Sequence, residues 1–283
     1  MPNYANTSRV MRMTAVLLSA FRQHYKEQNF CETVLPALVQ SQCEGGSTLF
    51  SLDYFGQEAY LTQSSQLYLE TMLPVVGKCY TIAKSFRAEK SRTRRHLSEY
   101  THIEAEAEFI TFEDLLRMIE DLLVRVSEIV LELDSETLLK VNPDYKPLKT
   151  PFRRMQYKDA IEFLRENKIH KPDGMTYEFG DDIPEGAERA ILAIIDEPLM
   201  LTRFPREIKA FYMSVCEDDR RVTESVDVLL PGLAKLSVVQ CEFGTLLNYW
   251  LHMIERSSIH LHIIGIPIKG SLDRLLTVDM ALA

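Results

Sequence analysis

The stretch from Cys79 to Ile110 constrains this chain more than any other. Cys79 to Glu89 and Tyr100 to Ile110 read as two long strands joined by a basic loop. The span from Lys84 to Arg95 holds Lys84, Arg87, Lys90, Arg92, Arg94 and Arg95 against one acid, Glu89. The second strand alternates strictly, which fixes its two faces. Thr101, Ile103, Ala105, Ala107 and Phe109 point one way and predict a packed face. Tyr100, His102, Glu104, Glu106 and Glu108 point the other way. Three acids on one strand face repel each other unless solvent or a cationic group meets them. A solvated outer face is one account, and a metal-nucleotide or an ammonium group is the other.

The rest of the composition narrows the setting. The 283 residues are 46% hydrophobic, enough for one large domain or two small ones. No apolar run reaches the roughly 18–20 residues of a membrane span, so no membrane partner is expected. The N-terminus lacks the apolar core of a secretory signal, and the expected location is cytoplasmic. Cys31, Cys43, Cys79, Cys216 and Cys241 form no CxxC pair and read as free thiols of a reducing compartment. The seven histidines form no zinc-binding cluster. A net charge of −9 argues against tight binding of a long nucleic acid by this chain alone. A local basic loop on an acidic body suits a small polyphosphate better.

Along the chain, Val10, Met13, Leu17, Ala20, Phe21 and His24 recur at helical spacing, with Thr7 or Ser8 as N-cap and an end near Asn29. Cys31 to Val39 reads as a strand interrupted by Pro36. Tyr60 to Thr62 reads as a short strand, and Ser65 to Leu73 as a helix ended by Pro74. Thr111 and Asp114 form a capping box ahead of an apolar helix face running from Leu115 to Val130. Residues 134–150 read as a polar connection, Tyr157 to Asn167 as a short helix, and 168–190 as a mobile surface loop. Met200 to Met213 and Arg221 to Leu230 suggest further strands.

The string Phe86-Arg-Ala-Glu-Lys-Ser-Arg-Thr-Arg-Arg-His-Leu-Ser-Glu-Tyr-Thr-His-Ile-Glu-Ala-Glu106 resembles motif 2 of the class II aminoacyl-tRNA synthetases, and is similar to the asparaginyl branch. Forming an aminoacyl-adenylate needs the α-phosphate held and its developing charge neutralised. A strand-borne guanidinium can do this bidentately, and that is the role the resemblance gives Arg87. It gives Glu89 the adenine edge, Tyr100 the purine face, and Arg95 or His96 the outer phosphates. The helix ending near Asn29 with Val34-Leu35-Pro36 is similar to motif 1, which implies a homodimer. Gln42 to Phe50 resembles the loop whose acid, here Glu44, holds the substrate ammonium. Leu61 to Glu70 resembles the segment lining the amino-acid pocket, with Gln63 and Gln66 aimed at the substrate and Glu104 beside them. Aspartyl relatives carry a lysine near Leu69, so an uncharged position implies a carboxamide substrate. Phe204 to Met213 and Thr223 to Leu229 also match, and Asp227 would help hold Mg²⁺. The implied fold is α+β, an antiparallel sheet flanked by helices. The implied enzyme activates asparagine with ATP and transfers it to the acceptor end of tRNA(Asn).

The resemblance runs from about Arg9 to Gly232 and then stops. The chain begins almost at motif 1, so the family's N-terminal anticodon-binding domain is expected to be absent. After Asp227 the Gly-Gly-Ser-Met-Arg run and the glycine-rich motif 3 of the family are missing in the encoded frame. Reading each third nucleotide with the first two of the next codon, Leu233 to Gly244 permits Gly-Glu-Ile-Val-Gly-Gly-Ser-Met-Arg-Ile-Trp. In the same frame His262 to Gly270 permits Tyr-Tyr-Trp-Tyr-Thr-Asp-Gln-Arg. Leu276 to Ala283 permits His-Gly-Gly-Tyr-Gly-Phe-Gly. Three windows in one frame and in family order point to a slipped reading frame near Gly232, with a divergent tail as the competing account. Residues 1–232 are then an incomplete catalytic domain and 233–283 a tail foreign to it. The expectations are weak or absent activity and a poorly soluble or partly folded product. Rival readings are a stand-alone asparagine synthetase-like enzyme and a non-catalytic dimerising paralogue.

Overall fold

The structure, a computed structural model, describes residues 4–40, 49–88, 97–143, 145–209, 213–231, 259–266 and 275–282. The chain opens with α1 (Tyr4–Glu27), followed by two short strands, β1 (Cys31–Glu32) and β2 (Leu38–Val39). α1 begins before Thr7, so neither Thr7 nor Ser8 is its cap. Pro36 divides the predicted strand so completely that its halves join different sheets, since proline cannot donate to a ladder. The hairpin β3 (Ser51–Tyr54) and β4 (Gln57–Leu61) turns on Phe55 and Gly56, both at positive φ. β2 adds to β4 to complete a three-stranded sheet. α2 (Gln66–Val76) runs through Pro74, where the sequence predicted its end. It stops instead at Gly77, which sits at φ 72 and donates its N–H to the Leu73 carbonyl.

β5 (Lys78–Phe86) and β6 (Glu99–Glu108) form the predicted long hairpin, with Thr81 opposite Glu104 and Phe86 opposite Glu99. β1 lies parallel to β5, while β11 (Leu275–Leu282) and β10 (Ile259–Ile266) extend the other side antiparallel. The order is therefore β1-β5-β6-β11-β10. The Thr111 capping box opens α3 (Phe112–Val141) as expected. That helix continues past a kink at Asp134 to Val141, where a polar connection was predicted, because Leu138 and Val141 still have core to bury. Ile103, Ala105 and Ala107 pack against Met13, Leu17 and Phe21 of α1 and Leu115, Ile119 and Leu122 of α3. This is the predicted apolar face, and the two long helices cover it.

A second core gathers around β7 (Arg153–Gln156), α4 (Tyr157–Glu166), α5 (Glu185–Ile195) and β8 (Leu199–Thr202). The span 168–190 is no free loop: Tyr177 and Ile183 are buried in that core, and α5 begins within it. β9 (Val226–Leu229) pairs with β8, so the predicted strands at 200–213 and 221–230 are real but much shorter.

Candidate active site

Glu104 organises the face of the sheet opposite α1 and α3. It is wholly buried. Its Oε1 accepts from the Ser64 hydroxyl at 2.5 Å, and both oxygens lie 2.9 Å from the Ser65 amide. Ser64 Oγ in turn accepts from the Gln66 amide at 3.1 Å. One strand carboxylate thus holds the start of α2 in place. Charge-assisted bonds to a backbone N–H and a hydroxyl also offset the cost of burying the charge. The expected row of carboxylates is therefore not solvated, for Glu106 is buried as well.

Gln63 and Gln66 are both buried beside this anchor. Gln66 Nε2 reaches Glu70 Oε1 at 3.4 Å. Burial raises the Glu70 pKa, and the Gln66 bond partly opposes the rise. Phe86 donates its amide to the Thr62 carbonyl at 2.8 Å, which ties the 62–66 segment to the end of β5. Arg87 follows immediately. Its amide bonds the Ser98 carbonyl across the hairpin mouth at 3.1 Å. Glu104 thus holds Ser64 and Ser65 directly, and the Thr62 carbonyl ties the same segment to the end of β5, next to Arg87.

The guanidinium of Arg87 is half-buried and lies 5.5 Å from the centroid of the Tyr100 ring. Tyr100 is 2% exposed and also meets His102 edge-on. Its contact is with the arginine, where the ring quadrupole attracts the cation. His102 Nδ1 sits 2.8 Å from the Ser85 hydroxyl and 3.4 Å from Glu104 Oε2, extending the buried polar row along β6.

Two predicted features land elsewhere. Leu69 is fully buried with Leu73 and Cys79 under α2, so its uncharged side chain belongs to a small core. Asp227 is also buried, and both its oxygens accept from Lys209 Nζ at 3.2 Å. Lys209 lies 4.0 Å from the Phe204 ring centroid as well. Among the described residues no three His, Cys, Asp or Glu side chains are grouped to hold a metal. Asp227 paired in this way does not fit a Mg²⁺ site. The sequence reading passed over Lys209, although a lysine eighteen residues before a buried acid leaves no sequence signal. Glu44, Glu89, Arg95 and His96 lie outside the described residues. A cavity of about 50 Å³ between β6, α1 and α3 contains none of the predicted site residues.

The model of the tRNA synthetases class II (D, K and N) matches residues 3–238. The cytoplasmic asparagine--tRNA ligase of Mus musculus is 54% identical over 232 residues, covering 82% of this chain and 42% of that protein. Its Saccharomyces cerevisiae counterpart is 55% identical over 232 residues, covering 81% and 42%. Among solved structures, Entamoeba histolytica asparaginyl-tRNA synthetase in complex with asparaginyl-adenylate superposes with a TM-score of 0.77 at 35% identity, covering 98% of this chain and 62% of that one. The chain spans about two-fifths of the length of the curated relatives it matches. Its antiparallel sheet, its hairpin with Arg87 and the matched span agree: the chain belongs to the class II tRNA synthetases of the D, K and N group.

Proposed function

We propose that this chain carries the adenylate-forming part of a cytoplasmic asparagine–tRNA ligase. It would join ATP and asparagine to give asparaginyl-adenylate and pyrophosphate, before transfer to the acceptor end of tRNA(Asn). One observation carries the reading: Glu104 fixes the Gln63–Gln66 segment beside the hairpin that presents Arg87. The segment with two carboxamides is thereby tied to the strand end that leads to Arg87, a cation suited to a phosphate.

In this reading Arg87 neutralises the α-phosphate, and Tyr100 takes the purine face. Glu89 takes the adenine edge, and Arg95 and His96 the outer phosphates. Glu44 holds the substrate ammonium, Gln63 and Gln66 contact the side-chain amide, and Glu104 anchors them. A magnesium ion bound to ATP would supply charge neutralisation at the phosphates. Asp227 could join it only after releasing Lys209, so no step is drawn through it. A homodimer built on the motif 1 region, α1 and β1, completes the assembly.

We further propose that residues 1–232 are an incomplete catalytic domain and that 233–283 are the product of a shifted frame. The relatives' alignments cover 81–82% of the chain and the family model ends at residue 238, which supports a change of sequence character in that neighbourhood. The coding nucleotides test the idea directly: codons 233–283 must spell the family motifs one frame over.

Calorimetry with a non-hydrolysable sulfamoyl analogue of asparaginyl-adenylate tests the site itself. The analogue should bind more tightly than its aspartyl counterpart. Arg87→Ala should weaken it by about ten- to a hundred-fold, the 1.5–3 kcal/mol typical of a charge-assisted hydrogen bond. Equal binding of the two analogues, or no effect of Arg87→Ala, would reject the assignment.

A further inference from the structure

Tyr100, His102 and Glu104 follow at alternate positions of β6 and so stand in a row on one face of the sheet. His102 is the middle member. Its ring meets that of Tyr100 edge-on, with centroids 5.4 Å apart, and Tyr100 in turn contacts the Arg87 guanidinium. On the other side its Nδ1 lies 3.4 Å from Glu104 Oε2, and Glu104 holds Ser64 and Ser65. One imidazole therefore stands between the arginine at the hairpin mouth and the carboxylate that anchors the start of α2. The Ser85 hydroxyl, on β5, lies 2.8 Å from the same Nδ1. Ser85, His102 and Glu104 are all 0% exposed.

The carboxylate decides how this nitrogen works. A neutral imidazole has one donor and one acceptor nitrogen. Were Nδ1 the acceptor, its lone pair would face Glu104 Oε2 with no proton between them, which is costly in a buried site. A proton on Oε2 would remove the conflict, but 3.4 Å is too long for an O–H···N bond. Oε2 also accepts from the Ser65 amide at 2.9 Å. With the proton on Nδ1 the conflict disappears. The ring then donates to Ser85 Oγ at bonding distance and turns the same positive edge towards Glu104. Ser85 fixes the angle of the ring, and the ring steadies the carboxylate from within the sheet while Ser64 and Ser65 hold it from α2.

We propose that His102 is a positioning residue for adenylate formation: its Nδ1–H, aligned by Ser85, holds Glu104 in the orientation that seats Ser64 and Ser65. The role rests on the reading of this site as one that forms asparaginyl-adenylate. His102 acts through Glu104 and not on the reacting atoms. Two substitutions separate its Nδ1 from the rest of the ring. An asparagine amide nitrogen is as many bonds from the backbone as Nδ1, whereas a glutamine amide nitrogen has the reach of Nε2. His102→Asn should therefore keep what His102→Gln loses.

The test uses the full chain. Long-range proton–nitrogen NMR of histidine-labelled protein reads which ring nitrogen bears hydrogen, and His102→Asn identifies the signal. A protonated Nδ1 is expected, and a bare Nδ1 overturns the proposal whatever the site binds. Amide exchange at Ser65 and Gln66 and calorimetry with the sulfamoyl analogue then follow the consequence. In His102→Gln both amides should exchange about tenfold faster and the analogue should bind about tenfold more weakly, the scale of one hydrogen bond to a charged group. In His102→Asn both quantities should stay within about threefold of the parent chain. Both variants lack the ring, so lost packing alone would affect them equally. Equal losses in the two, or none in either, overturn the proposal. A parent chain that fails to bind the analogue would reject the adenylate-forming reading instead, and the Nδ1 signal with amide exchange would still decide whether His102 holds Glu104.

Discussion

β6 is gripped on both sides, by β5 along one edge and by β11 along the other, and the two partners differ in kind. Against β5 the register sets Thr81 beside Glu104 and Ile82 beside Ile103, pairs that suit a strand with one helix-covered face and one polar buried face. Against β11 the ladder is just as regular, with Leu275 opposite Glu108 and Leu282 opposite Thr101. Yet it brings Asp279 to the position opposite Glu104, the carboxylate that anchors α2. Backbone ladders accept nearly any sequence without proline. Opposed side chains do not, and like charges directly across a ladder destabilise it. Regular pairing is therefore weak support for a native strand, whereas the chemistry set side by side discriminates.

Restoring the alternative frame from codon 233 onward should separate the partners most sharply. On the frame-shift reading, the encoded chain gives little or no asparagine-dependent pyrophosphate exchange. The restored chain should gain at least about 10²-fold, the scale of supplying one missing charge-stabilising group. It should also melt at higher temperature and more cooperatively. A restored chain no more active than the encoded one would make the two partners of β6 equivalent and break the comparison.

The β5 side can be stressed in turn. Glu104→Ala removes the acceptor for the Ser64 hydroxyl and the Ser65 amide, both of which stay buried. Leaving such groups unmatched costs about 1–3 kcal/mol each, so denaturant unfolding should show a loss of about 3 kcal/mol. Analogue binding should weaken too, because Gln66 depends on Ser64 for its place. A loss below 1 kcal/mol would mean that Glu104 is not the anchor.

What was legible in the sequence follows the same division. The β5–β6 hairpin, the α3 capping box and the apolar face of β6 were readable because strict alternation and a fixed capping spacing are local signals. The termination of α2 was misplaced because a proline near a helix end removes only one bond, and Gly77 gives the real stop. The order within 168–190 was missed because Tyr177 and Ile183 are pinned by Tyr157 and its neighbours across the fold, which no window of sequence contains. The packing around the candidate site was not legible. Tyr100 under Arg87, Leu69 in a small core and Lys209 against Asp227 are all choices made by tertiary packing.

The smallest expected effect is also the most direct probe of the β11 ladder. Asp279→Asn removes a formal charge from the register position opposite Glu104 while changing little else. If the ladder holds in solution, the like-charge penalty should be relieved, and the encoded chain should gain about 0.2–1 kcal/mol, the usual worth of a cross-strand pair. The gain must depend on Glu104. In a Glu104→Gln background the same substitution should do nothing, so a double-mutant cycle isolates the pair from any general effect of lowering the chain's net negative charge. An Asp279→Asn gain that persists without Glu104 would place the benefit in overall charge. The register opposite Glu104 would then carry no specific energy.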